Sequence, residues 1–513
     1  MSLQRHQRRN GRLNRSIASV DKGTDSTSGY GYSQAAERTM CSIPVPALPE
    51  DILHRVHSLL PMRDAARAAC SSHAFLRSWR CRPVLALNRD TLGSNANSRQ
   101  KNFSCIIDNI LRNHSGIGIK IFKLQLYGIL DASHYLDRWF QIAVTPGIEN
   151  LTLQPYYGDN MEYNVPCTLL SDGVRNSIRS LELSLCTFHP TAELGPLRKL
   201  TSLRLHSVRI LGDELEYFLS NSPALQQLNL SECQEITYLK IPCVLQQLHF
   251  LKVSYCSELQ VIESKARNLF SFIKEGVRAK VLLGETLQMK NLRMYCSNLV
   301  CNARTELPSN MPNLESLFIG SRDERVGTPM LPTKFLFLKH LSICLKCLSY
   351  DYFSLISFLD ASPSLETLLL DVAREKVERE SIFGCSPQLR QMPEQHHGHL
   401  KSVKIKGFYS AKSLVELTCY ILKNAKSLDC LTLDTTYGDP KCDNKMYGGP
   451  CTKMNKGFLM QARRGAVAIK AYIEDKVPST VKLTVVEHCR RCHADKLSEI
   501  DAMCDDFLTC FRL

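Results

Sequence analysis

Apolar residues return along this 513-residue chain in one short spelling: apolar, any residue, apolar. From about residue 120 it reads Leu151-Thr152-Leu153, Leu181-Glu182-Leu183, Leu203-Arg204-Leu205, Leu228-Asn229-Leu230 and Leu251-Lys252-Val253. It resumes at Leu317-Phe318-Ile319, Leu341-Ser342-Ile343, Leu368-Leu369-Leu370, Val403-Lys404-Ile405 and Leu431-Thr432-Leu433. Alternation with a period of two predicts a short strand whose apolar pair faces one way and whose middle residue faces the other. From 181 to 251 and from 317 to 368 the copies start 22 to 27 residues apart. A further leucine stands three residues ahead of the pair at Leu200, Leu225, Leu248, Leu314, Leu338, Leu365, Leu400 and Leu428. The segment GDELEYFLSNSPALQQL, from 212, carries Leu215, Phe218 and Leu219 at helical spacing and stops at Ser222-Pro223. YDYFSLISFLDASPSLETL, from 350, repeats that design down to Ser362-Pro363. One such unit cannot bury its own apolar face, so a fixed period predicts a solenoid of stacked parallel strands with helical or irregular returns.

The pattern weakens in places. Between 254 and 316, Leu269 to Phe272, Val281-Leu282-Leu283 and Leu292-Arg293-Met294 read as shorter turns of the same solenoid. Residues 372–399 and 434–480 are too long for simple connections and read as insertions or loops, with the polar stretch 437–452 expected to be mobile.

A different period governs the front. Pro49 suits the first turn of a helix, where a missing N–H costs nothing, and Glu50 and Asp51 place negative charge at the positive end of the helix dipole. Ile52, Leu53, Val56, Leu59 and Leu60 follow at helical spacing until Pro61. A second short helix is predicted through the alanines at 65, 66, 68 and 69, and a third through Phe75, Leu76 and Trp79. Three helices in about 40 residues bury too little apolar area to stand alone, so the unit is either a cap on the solenoid or a docking module.

Three resemblances follow from these residues. Leu48-Pro49-Glu50-Asp51-Ile52-Leu53, then Leu59-Leu60-Pro61-Met62-Arg63-Asp64-Ala65, then Trp79, resemble a plant-type F-box, with Ser71 where the family usually carries an apolar residue. The period and the LxxLxL register resemble leucine-rich repeats. HLKSVKIKGF…SLVELTCYILKNAKSLDCLTL, from 399 to 433, resembles the FBD-type region of many plant F-box proteins. Together they imply an α/β chain with a small three-helix F-box head followed by a leucine-rich-repeat solenoid. The expected organisation is a disordered basic tail (1–44), the F-box (45–87), a linker (88–119), the solenoid (120–395), FBD-like final repeats with a loop (396–486) and a cysteine-rich tail (487–513).

Composition narrows the class. The chain is 44% hydrophobic, ordinary for a globular protein, and no uninterrupted apolar run reaches membrane-spanning length. Its first twenty residues are arginine-rich and carry no signal-peptide pattern. A net charge of +14 is diffuse, without the aromatic-interleaved basic stripe of a nucleic-acid groove, and predicts attraction to acidic partners. Twenty-two cysteines scattered through apolar segments, with no secretory signal, read as buried free thiols in a reducing compartment. The expected location is cytoplasmic, nuclear or both.

No catalytic set emerges. Gly116-Ile117-Gly118 lacks the lysine and serine of a phosphate loop and reads as a turn. His396, His397 and His399 read as solvated loop residues. Cys489-Arg490-Arg491-Cys492-His493 has zinc-like spacing, and His488, Cys504 and Cys510 supply conceivable further ligands, but no second CxxC completes a site, so no metal is expected. Cys186, Cys233 and Cys256 each follow a strand at the same register, with Val208 in the intervening copy. A place that accepts valine asks for a small buried side chain.

The resemblance therefore implies a non-enzymatic substrate receptor of an SCF-type ubiquitin ligase, without cofactor. Its head would bind a Skp-type adaptor, and through it a cullin scaffold, by Leu48, Pro49, Ile52, Leu53, Leu60 and Ala65. The solenoid would hold an unknown target protein along Arg204, His206, Asn229, Ser231, Lys252, Ser254, Lys404 and Lys406, without membrane or nucleic acid. The alternative is an interaction scaffold that uses the repeats without ubiquitination.

Overall fold

The computed structural model describes residues 49–92, 101–115, 118–126, 133–155, 163–191, 193–284, 286–347, 350–372, 381–384, 388–391, 394–436, 455–489, 492–494, 496–497 and 500. The basic tail up to Leu48 and the polar stretch 437–452 lie outside them.

Three helices open the described chain: α1 (Glu50–Leu59), α2 (Met62–Ser71) and α3 (His73–Arg80). A single fifteen-stranded sheet follows, with every neighbouring pair parallel and in chain order. The register is that of the leucine spelling. Leu203 pairs with Leu228 and Leu228 with Leu251, while Leu205 pairs with Leu230 and Leu230 with Val253. All six side chains are buried, as are the leucines that precede the pairs. Stacking removes each from water, and a fully buried leucine contributes about 1.5–3 kcal/mol.

The sheet begins earlier than the spelling suggests. Leu85-Ala86-Leu87 already forms a rung, in register with Phe122-Lys123-Leu124. The stretch 88–119, expected as a linker, contains the helix Lys101–Asn113, whose Phe103, Ile107 and Leu111 are buried. It is the return segment of the first repeat. An overlong return, and Phe122 in a leucine place of the next rung, hid it from a reading by period.

The middle needs a second correction. The strand Ser271–Glu275 points Phe272 and Lys274 inward, and a lysine in a leucine place broke the expected spelling. Val281-Leu282-Leu283 is no rung of the main sheet. The strands Tyr238–Ile241, Val261–Ser264 and Lys280–Leu283 form a small parallel sheet of their own in the return segments. Returns there are too short for a helix, and extended chain takes its place.

Six strands of the main sheet end in the same sharp turn. Leu185, Ser207, Glu232, Tyr255, Asn298 and Asp323 adopt left-handed backbone, with φ between 50° and 58°. The residue after the turn drops into the core. This is where Cys186, Val208, Cys233 and Cys256 sit, all buried. The Cys233 sulfur lies 3.5 Å from the Ser231 carbonyl oxygen, and that of Cys256 lies 3.6 Å from the Ser254 carbonyl oxygen. Burial pushes the Cys186 thiol up to about 12, which keeps it protonated. In a later rung Glu324 takes the same place, and its carboxylate accepts the amides of Val300 and Cys301 at 3.0 and 3.1 Å. It thus satisfies the first free N–H groups of the helix Val300–Asn310.

The final repeats carry the helices Lys412–Asn424 and Lys456–Tyr472. The second lies within the stretch expected as an insertion. Its Gly465 faces the Phe408 carbonyl so closely that an added Cβ would come within 2.8 Å of that oxygen. Among the described residues no helix is long and apolar enough to cross a membrane.

Candidate interaction surfaces

The head divides its apolar residues between two faces of α1. Ile52, Val56 and Leu59 stand one helical stripe apart from the packed face and are 40%, 43% and 80% exposed. The opposite stripe packs inward through Leu53, His57 and Leu60, of which His57 is fully buried. Its Nε2 donates to the Ala65 carbonyl of α2 at 2.9 Å, so the neutral ring carries its proton there. Phe75 stacks on it and Trp79 meets it edge-on, with centroids at 5.7 and 6.2 Å. Burial holds His57 below the ordinary histidine range; the Ala65 carbonyl opposes this, and Arg82 and His54 add to it.

Arg82 joins head to solenoid. Its guanidinium is buried and donates to the carbonyls of His57 at 2.9 Å and Leu60 at 2.7 Å, at the end of α1. Its Nε reaches the Val84 carbonyl at 3.1 Å, the first residue of the sheet. Free carbonyls and the negative end of a helix dipole both favour a cation at that position. The Arg82 carbonyl in turn accepts from His114 Nε2 at 2.9 Å.

The structure sorts the residues assigned to adaptor binding. Pro49 and Ile52 are exposed, Leu53 and Leu60 are half-buried, and Leu48 lies outside the described residues. Ala65 is fully buried against α1 and is a core residue, because its small side chain lets the helices approach. Ser71 is exposed and its hydroxyl donates to the Ala68 carbonyl, so no apolar packing is lost there. Val56 and Leu59 belong on the exposed face and were left off the sequence-based site; helix phase alone would have added them.

The target face is also sorted. Arg204 and Lys404 project into solvent, and His206, Asn229, Ser231, Lys252 and Lys406 are half-buried at its surface. Ser254 is only 2% exposed, its hydroxyl 3.2 Å from Glu275, and it is removed from that face. Arg204, Asn229 and Lys252 stand on successive strands in register. Lys404 lies six strand spacings beyond Lys252, roughly 29 Å away, so the basic residues do not form one patch.

A denser group sits between them. The strands Asn291–Ser297, Ser316–Arg322 and His340–Lys346 are each seven residues long, two more than most of their neighbours. The extra length adds an outward row in which Arg322 pairs with Ser297 on one side and Lys346 on the other. The Arg293 guanidinium lies 3.8 Å over the Phe318 ring and donates to Glu275 at 3.0 Å. The Tyr295 ring lies across Gly320, where an added Cβ would meet three ring atoms within 2.9 Å. That brings the Tyr295 hydroxyl to 3.0 Å from Arg322 Nε, and Lys346 Nζ to 5.9 Å from the ring. Outward positions of NLRMYCS, SLFIGSR and HLSICLK were readable, but strand length was not.

The remaining chemistry is structural. His397, expected to be solvated, is buried, with Nε2 at 3.0 Å from the Tyr420 hydroxyl; Tyr420 comes from the helix Lys412–Asn424 that covers it. Burial lowers its pKa, and Asp360 opposes that. His396 and His399 are exposed. His493 Nδ1 lies 3.2 Å from the Cys489 carbonyl. Among the described residues no cluster of three or more His, Cys, Asp or Glu side chains is arranged to hold a metal; Cys504 and Cys510 lie outside them.

Comparison with known proteins matches residues 110–490 to the leucine-rich-repeat domain model of At1g61320/AtMIF1. The chain is 25% identical to the FBD-associated F-box protein At1g66310 of Arabidopsis thaliana, over 75% of this chain and 88% of that protein. It is 23% identical to the putative F-box/FBD/LRR-repeat protein At5g56810 of the same plant, over 81% and 95%. With the F-box/FBD/LRR-repeat protein At1g13570, also from that plant, it shares 28% identity, and there the chain spans 43% of the relative.

Proposed function

We propose, from the premise that this chain belongs to the At1g61320/AtMIF1-type leucine-rich-repeat family and is a plant protein of the F-box, FBD and leucine-rich-repeat type, that it is the substrate-recognition subunit of an SCF-type ubiquitin ligase. The observation that carries the reading is the outward stripe Ile52, Val56 and Leu59 on α1. A head with so small a core leaves those side chains in water at a cost, and a partner's apolar groove removes it. In this reading the stripe seats a Skp-type adaptor, which links the chain to a cullin scaffold in the cytoplasm or nucleus. The chain performs no bond chemistry. It raises the effective concentration of a bound target beside a ubiquitin-carrying enzyme.

The test is the affinity of the full chain for a recombinant Skp-type adaptor. Val56→Asp with Leu59→Asp should weaken it by roughly 30-fold or more, as for loss of an interface hot spot. Both positions are surface-exposed, so folding should survive. Wild-type chain that is folded and does not bind the adaptor would sink the ligase reading and leave an interaction scaffold.

A further inference from the structure

We infer that the outward group Arg293, Tyr295, Phe318, Arg322 and Lys346 is the docking point for an acidic segment of the target, a peptide that sets carboxylates beside an aromatic or aliphatic side chain. This inference rests on the proposed role of the solenoid as a target-binding surface and names the chemistry of that target.

Charge complementarity is the first ground. Arg322 and Lys346 are register neighbours on adjacent parallel strands, about 4.8 Å apart in backbone spacing, close enough to embrace one carboxylate. Neither forms an ion pair with a described residue. Glu275 is already held by Arg293, and Asp323 favours the Arg322 charge from nearby without forming an ion pair with it. Some surface cations are engaged, Lys290 with Glu315, Lys401 with Glu366 and Arg390 with Asp351 and Glu416, while Arg204, Lys252 and Lys404 stand singly along the face. What sets Arg322 and Lys346 apart is convergence: both lie against the one Tyr295 ring, at 5.3 and 5.9 Å, so two cations stand side by side toward an external anion.

Preorganisation is the second ground. Gly320 lets the Tyr295 ring lie across the neighbouring strand, and its hydroxyl accepts from Arg322 Nε. The guanidinium is thus held at its Nε edge while its terminal N–H groups remain for a ligand, which lowers the entropy lost on binding. Arg293 over Phe318 makes a flat, partly apolar floor beside the cations. A segment carrying charge alone would leave that floor uncovered.

The experiment measures binding of the full chain to a fluorescein-labelled twelve-residue peptide of glutamate pairs separated by phenylalanines. Its controls are the same peptide with glutamine for glutamate, and a twelve-nucleotide oligothymidylate. The glutamine peptide should bind at least tenfold more weakly. Arg322→Glu with Lys346→Glu should weaken the glutamate peptide at least tenfold, Tyr295→Phe by a smaller factor, and the distant Lys404→Glu by less than about threefold. An unchanged affinity in the double variant, or oligothymidylate bound as tightly and with the same sensitivity, overturns the inference. Adaptor affinity is read on the same samples. Adaptor binding without peptide binding defeats this inference alone, and the converse defeats only the ligase reading.

Discussion

Leu59 and Leu228 are the same side chain in opposite situations. Leu228 is fully buried between Leu203 and Leu251, whereas Leu59 is 80% exposed at the end of α1. The solenoid hides its leucines and displays the residues between them; the head hides alanine and histidine and displays its leucine. Where a fold is built by stacking, apolar residues are fixed by neighbouring units, and specificity passes to the polar positions. Where three short helices leave too little core, the apolar residues themselves become the recognition surface.

That contrast breaks first at its strongest point. Leu228→Ala should cost about 2–5 kcal/mol, because rigid neighbours leave a cavity, while Leu59→Ala should stay within about 0.5 kcal/mol. Urea unfolding of both variants decides it, and equal losses would refute the division. Next in size is Arg82→Met, which keeps the volume and removes the donors to His57 and Leu60. The loss should be about 1–3 kcal/mol. Amide exchange should speed up in 50–60 and stay slow in the rungs from 202 onward; uniform acceleration would mean that head and solenoid unfold as one.

Lys274 is the place where the solenoid departs from its own rule. It is 3% exposed, and its ammonium has one weak contact, to the Glu275 carbonyl at 3.4 Å. Lys274→Met should raise stability by about 1–3 kcal/mol. Burial lowers the lysine's pKa from 10.5, so in the alkaline window below that value the unfolded chain holds a proton that the folded chain releases. Wild-type stability should therefore gain a rising component as pH approaches 10.5, and the variant should lose that component in parallel melts.

The smallest effect is acidic. Burial lowers both His57 and His114 at the head end. Below the ordinary histidine value of 6.5 the unfolded chain takes up protons that these folded rings resist, so stability falls as pH drops. Exchange at pH 5.5 against pH 7.5 should loosen α1 and the Arg82 contacts before the middle rungs, where Leu228 and Leu251 lie far from any such ring.

Most of the architecture was legible because leucine spacing is a backbone constraint written in side chains. Leu203, Leu228 and Leu251 announce both strand and register. The first rung, Leu85 to Leu87, was missed because a long return follows it and the next rung carries Phe122 in a leucine place. The turn at Leu269 to Phe272 was expected, but as a shortened one, because Lys274 occupies an inward place that hydropathy assigns to solvent. For the surfaces, spacing ran Ile52, Leu53, Val56, Leu59 and Leu60 together, although Ile52, Val56 and Leu59 face outward and Leu53 and Leu60 inward, and it misjudged Ala65, since a small residue gives no sign of which neighbour it touches. The basic residues from Arg204 to Lys406 share a spelling yet stand on distant strands. The cluster around Tyr295 depended on a ring crossing to the next strand over Gly320, a lateral contact that no linear pattern records.

Arg82 has a mechanical consequence. A guanidinium bonded at once to the end of α1 and to the first strand makes the junction a rivet and not a hinge. The chain then behaves as a ruler, with graduations set by the strands at about 4.8 Å each. Whatever docks at Arg322 is held a set number of graduations from whatever docks at Leu59. Inserting or deleting one repeat between them would move the cargo by a fixed step along the sheet and turn it through the solenoid's pitch. Loosening the rivet would blur that position while both docking faces kept their local contacts.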